Sequence, residues 1–213
     1  LAWKKELHFQ LSVSKVTRRY FGKILALCSF VYSGSLVFTI SQVFDTIVIA
    51  SMLKDGSAKA GIYGLATIMT AIIQAPQRGI VASSIAHLSK AWKDKNIPLI
   101  QRIYQRSSIN QLIFACAIFL LIWMNFRDGI MAFNIKPAYL EAADIFFLLG
   151  LTKIIDMGTG VNAQIIATST YWKFELISGV VLIAIMLPLT YILTKNYGLI
   201  GPAIGSIVSI TIY

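Results

Sequence analysis

Ser107 to Phe126 reads SSINQLIFACAIFLLIWMNF, and no Asp, Glu, Lys or Arg occurs in it. A helix of about 20 residues, rising 1.5 Å per residue, crosses the roughly 30 Å hydrocarbon core of a bilayer. The inner part, Leu112 to Met124 (LIFACAIFLLIWM), is apolar on every face. A barrel strand is about ten residues long and alternates apolar with polar side chains, since one face meets lipid and the other the lumen. No such alternation is present. The stretch is a membrane-spanning helix.

Working outward from it, similar runs recur along the chain. Ile24 to Phe44 is uncharged, and after Asp45 the apolar run resumes to Leu53. Gly61 to Ala86 is interrupted only by Arg78, and Ile145 to Thr168 carries Lys153 and Asp156. Leu176 to Thr194 contains Pro188, and a last run starts near Tyr197 and is still in progress at Tyr213. The pattern predicts an all-α, polytopic membrane bundle of about six transmembrane helices over residues 21–213, with spans near 24–53, 61–86, 107–126, 145–168, 176–194 and 197–213. With Leu1 in first place and the last run unfinished, the expectation is a piece of a longer protein.

Composition agrees. Of 213 residues, 57% are hydrophobic and 13% charged, and the mean hydropathy is +0.72. A water-facing domain carries about 25% charged residues; half that fraction leaves most of the exterior to lipid. The net charge of +10 falls in short clusters between apolar runs. That suits anionic lipid heads and not nucleic acid, which needs a basic soluble domain. If six spans alternate, twelve basic residues share one side: Lys4, Lys5, Lys15, Arg18, Arg19, Lys23, Lys90, Lys93, Lys95, Arg102, Arg106 and Lys173. Five lie on the other: Lys54, Lys59, Arg127, Lys136 and Lys195. The positive-inside rule makes the richer side, and the N-terminal segment, cytoplasmic. Residues 1–20 place Trp3, Leu7 and Leu11 at four-residue spacing among basic residues. They read equally as an amphipathic surface helix or as a linker.

Ionisable groups within spans cost at least about 2.5–3.5 kcal/mol at mid-membrane, so they face a protein interior or a wet cavity. Asp45, Arg78, Lys153 and Asp156 are the candidates. Asp45, close to the end of its span, reads as an interfacial cap or as a cavity acid linked to a proton. Arg78 follows Pro76 in QAPQRG; proline frees carbonyls and kinks the helix, and arginine can grip phosphate with paired hydrogen bonds. Its bland alternatives are snorkelling, or an ion pair with Asp45 or Asp156. Lys153 and Asp156, three apart, can neutralise each other on one helix face. Asn162 and Gln164 follow, making this the most polar span and a candidate lining for a hydrated path. His87 reads as interfacial. Gly201 and Gly205 form a small-xxx-small pair that lets helices approach closely. Cys28 and Cys116 lie singly in apolar runs and read as packing residues, with no metal site. No motif joins a nucleophile to a base, which argues against an enzyme.

Several blocks, in order, resemble one family. GIYGLATIMTAIIQAP (Gly61 to Pro76) is similar to the "vGiYs" start of a helix in the polysaccharide and oligosaccharide-lipid flippases of the multidrug/oligosaccharidyl-lipid/polysaccharide exporter superfamily. Asp45-Thr46 sits where that family has an aspartate. Ile103 to Trp123 and Tyr139 to Ile166 look like its next two helices, and YGLIGPAIGSIVS (Tyr197 to Ser209) resembles its last-helix signature. One departure is Pro202, where the family pattern has a small residue, giving that helix a stiffer start. The resemblance implies the C-terminal lobe of a 12–14 helix transporter in the bacterial inner membrane, its N-terminal lobe lying outside this chain. It also implies alternating access carrying an undecaprenyl-pyrophosphate-linked sugar outward, with no cofactor and with a proton or sodium coupling ion left open. The alternatives are a cation-coupled multidrug exporter of the same superfamily and a non-transporting membrane scaffold.

Overall fold

The computed structural model describes residues 15–212, so the expectations about Trp3, Leu7, Leu11 and Tyr213 fall outside the described residues. Every regular element among the described residues is helical. They are α1 (Lys15–Met52), α2 (Gly56–Ile73), α3 (Ala75–Lys93), α4 (Ile97–Ala132), α5 (Ala142–Gly158), α6 (Asn162–Ala167), α7 (Trp172–Tyr197) and α8 (Gly201–Ile212), with 3-10 turns at Pro137–Glu141 and Gly198–Ile200. The fold is an all-α bundle. It divides into two units, Leu1–Phe38 and Thr39–Tyr213. In the first, the described part is helical and Tyr20, Phe21, Ile24, Leu25 and Tyr32 are exposed.

In the second unit α5 packs against α2, α4 and α8. Its core is apolar and aromatic. Phe119 of α4 stacks on Phe146 of α5 at 5.7 Å between centroids, and Trp123 meets Phe147 at 4.8 Å. Gly150 permits this, because a Cβ there would stand 2.5 Å from the Phe119 ring. Ile49, Ile62, Ala66, Ile73, Ile145 and Met157 fill out the same cluster. In lipid such packing is held by van der Waals fit and not by exclusion of water.

The chain doubles back between α7 and α8. Gly198, at φ 64 and ψ −130, turns it, a conformation that side chains with a Cβ avoid. Gly201 then lies so close to α7 that a Cβ would come within 2.5 Å of the Leu193 carbonyl and the Thr194 nitrogen. Gly205 faces Thr190 one turn on. The small-residue pair thus seats α8 on α7. Pro202 is buried in the first turn of α8, where no N–H is required of it.

Among the described residues, Gly56–Ile73, Ile97–Ala132 and Ile177–Thr211 are long and apolar enough to cross a membrane, and Val43–Met52 is a shorter apolar helix. By length and composition the chain is a membrane protein. Exposed apolar side chains agree: Ile113, Leu121 and Met124 on α4, and Ile177, Val180 and Val181 on α7, each leave more than half of their surface uncovered by the chain itself. α4 is 36 residues long, about 54 Å at 1.5 Å per residue. It outruns the hydrocarbon, and its first turns carry the exposed Arg102 and Arg106. Set against the six predicted spans, Gly56–Ile73 is the first part of the second, Ile97–Ala132 contains the third, and Ile177–Thr211 takes in the fifth and sixth. The fourth is split between α5 and α6, and of the first only Val43–Met52 enters this comparison of described residues.

Candidate functional site

Asp45 stands in the part of α1 that belongs to the second unit, at 6% exposure. The Tyr63 hydroxyl, from α2, donates to Asp45 Oδ2 at 3.1 Å. Thr190 of α7, fully buried, faces the same carboxylate, although neither its Oγ1 nor Asp45 Oδ1 closes a hydrogen bond at this separation. Tyr63 is held by core packing with Ile62 and Ala66, which fixes its ring in place. The arrangement brings a carboxylate, a phenol and a hydroxyl together from three helices, two of their oxygens unpartnered. Chemically it can hold a proton on the carboxylate, or a small cation between carboxylate and hydroxyl. Its burial places the carboxylate inside the protein.

A second polar group forms where the broken helices meet. α2 stops at Ile73 and α3 begins at Ala75, with Pro76 in the first turn of α3; this is the interruption expected of Pro76. Gln74, between them, donates from Nε2 to Asp156 Oδ2 at 3.0 Å. Asp156 lies in the last turn of α5, whose end is closed by Thr159, its amide and hydroxyl both reaching the Asp156 carbonyl. Gly160 follows at φ +66, its Cα so near α4 that a Cβ would be 2.8 Å from the Ser108 nitrogen. Ser108 Oγ donates to the Gly158 carbonyl. Trp92 Nε1 donates to the Ile165 carbonyl at 3.1 Å, tying α3 to α6.

The predicted residues therefore separate. Asp45 and Asp156 are both drawn in, each by a partner that sequence spacing does not reveal: Tyr63 is 18 residues from Asp45 and Gln74 is 82 residues from Asp156. Lys153 is half-buried one turn before Asp156 on α5, but the described residues show no closed salt bridge between them. Arg78 is exposed on the first turn of α3 and pairs with neither Asp45 nor Asp156 among the described residues. Asn162 is exposed and Gln164 half-buried on α6, and His87 is exposed on α3. Gln111, fully buried on α4 with both amide atoms unpartnered, escaped notice in the sequence although a glutamine within an uncharged span was the signal. No group of three or more His, Cys, Asp or Glu capable of holding a metal occurs among the described residues. No family model, no curated protein and no solved structure matches the chain.

Proposed function

We propose that the chain is part of a membrane transporter, of the flippase type, that moves an undecaprenyl-pyrophosphate-linked oligosaccharide from the cytoplasmic to the outer face of the bacterial inner membrane by alternating access. The observation that carries the transport reading is Asp45, a carboxylate buried in the bundle with one oxygen unpartnered and no basic residue paired to it among the described residues. Such a group buried in a membrane bundle weakens a structure that only has to stand, and is retained where something polar must be held or passed. Two interrupted helices within one bundle support the same reading, since non-helical backbone at membrane depth occurs where protein or a wet cavity surrounds it. The sugar-lipid cargo rests on the ordered blocks of resemblance. In this reading six crossings put the N-terminal segment in the cytoplasm, the N-terminal lobe is supplied by the rest of the protein, and Arg78 provides the cation for the pyrophosphate.

The test is complementation. A full-length protein carrying Asp45→Asn or Arg78→Ala is expressed in cells that lack the corresponding exporter, and surface glycan and membrane insertion are both measured. Lost export with normal insertion is expected of each. Wild-type export by Arg78→Ala removes Arg78 from the site, and wild-type export by both removes the transport mechanism. The second reading, a cation-coupled multidrug exporter, is favoured by one feature, the buried Asp45–Tyr63–Thr190 group with no basic residue paired to it among the described residues. Drug resistance without glycan export would select it; neither phenotype would select the scaffold.

A further inference from the structure

The two helix breaks divide the second unit into two bodies with separate cores. One core joins α2, α5, α8 and the middle of α4 around Phe119 and Phe146. The other is small: Leu88 and Ala91 of α3, Ile100 of α4 and Val161 just before α6, with Trp92 and Ile165 packed on it. Gln74 and Gly160 stand at the two crossings between them, and α4 alone runs unbroken through both.

The seam between the bodies is polar. α4 and α5 run antiparallel, as successive close approaches show: Phe119 to Gly150, Leu112 to Gly158, Ser107 and Ser108 to Gly160. Ser107, Gln111, Ala115 and Phe119 repeat every four residues and are all buried, forming the stripe that α4 turns inward. Gln111 lies between the Phe119 and Ser107 contacts, so it is level with the last turn of α5, where Gln74 reaches Asp156. One seam thus holds a made hydrogen bond and, beside it, an amide stripped of water with neither atom partnered.

We propose that this seam is a two-state hinge, in which α3, α6 and the first turns of α4 swing as one body against α2, α5 and α8, and that the conformation described is its closed state. The Gln74–Asp156 bond holds the hinge shut. Gln111 works against it, because opening the seam gives its amide water or a partner, whereas closure leaves both its atoms bare. Two opposed polar terms on one joint keep the states close in free energy, which is what a moving element needs. The Ser108 hydroxyl on the Gly158 carbonyl marks the pivot, and Gly160 gives α4 and the α5–α6 connection the close fit a pivot requires. Substitutions at the two polar positions must then act in opposite directions: an apolar residue at 156 opens the seam, and an apolar residue at 111 closes it.

Pulsed electron–electron distance measurements on the full-length protein in lipid nanodiscs test this, with Cys28 and Cys116 replaced by serine. Labels go at Ser57 on α2 and Lys90 on α3, both exposed and on opposite sides of the break; a control pair, Lys90 and Arg102, lies within the swinging body. The expected result is a two-component distribution for Ser57–Lys90, moved to one component by Asp156→Leu and to the other by Gln111→Leu, with the control pair unchanged. If Asp156→Leu fails to accumulate, Gln111→Leu alone must still remove one component. A single distribution common to all variants overturns the hinge. So does a shift in the same direction by both variants, or movement of the control pair. No cargo enters the measurement, so its outcome is separate from that of the export assay.

Discussion

The core around Phe119 and the seam around Gln111 lie on one face of one helix, about two turns apart, and are built on opposite rules. At Phe119 four aromatic rings and a glycine close around each other, with the Trp123 indole N–H the one polar group among those side chains. At Gln111 a fully buried amide is left without a partner, next to a bonded Gln74–Asp156 pair and two interrupted helices. The first is what packing in lipid favours, since association there depends on close fit. The second is disfavoured by every stability argument, because a buried polar group without its hydrogen bond costs about 1–3 kcal/mol. The contrast assigns the two regions different work. One holds the bundle, and the other is kept loose at a cost.

The largest effect should come from breaking the tight side. Phe119→Ala leaves a cavity among Trp123, Phe146 and Phe147, and unfolding in graded detergent denaturation should show a loss of about 3 kcal/mol. Gly160→Ala strikes the seam through the backbone: a left-handed φ for a residue with a Cβ costs about 1–2 kcal/mol, and the Ser108 contact adds to it. A loss of about 2 kcal/mol or more is expected by the same denaturation. Gln111→Leu has the opposite sign. Removing an unpartnered amide should raise stability by about 1 kcal/mol, and export by the full-length protein should fall with it; a destabilised Gln111→Leu would mean that the amide has a partner in the native bundle. Tyr63→Phe is the smallest, near 0.6 kcal/mol for one interhelical hydrogen bond in a membrane, and a much larger loss in denaturation would show that Asp45 is ionised and depends on the phenol.

Much of this was legible in the sequence. Uncharged runs gave the helices, the Gly201/Gly205 pair gave a close helix approach without naming its partner, and Pro76 gave a kink near the point where α2 ends. Ile145 to Thr168 read as one span because nothing local announces that Gly160 stands against α4; a glycine's need for room is set by its neighbour, not by its own flanks. Asp45 and Asp156 were found from the expense of a charge in hydrocarbon, but Tyr63 and Gln74 were not. Their significance lies in a contact across 18 and 82 residues respectively, and pairing at that range leaves no spacing to read. Arg78 drew attention by its type alone, a cation inside an apolar run, and it lies exposed on α3.

The account stands on α4 having one face on lipid and the other on protein, and a nitroxide scan of positions 107–126 measures that directly. Collisions with oxygen, which concentrates in hydrocarbon, and with a water-soluble nickel chelate are recorded at each position. Oxygen accessibility should peak at Ile113, Leu121 and Met124, which are 60%, 66% and 77% exposed, and both reagents should be low at Gln111, Ala115 and Phe119, giving a period near 3.6 residues. If the nickel reagent reaches Ile113, Leu121 and Met124 more readily than oxygen does, that face meets water, and the membrane bundle with everything drawn from it is wrong.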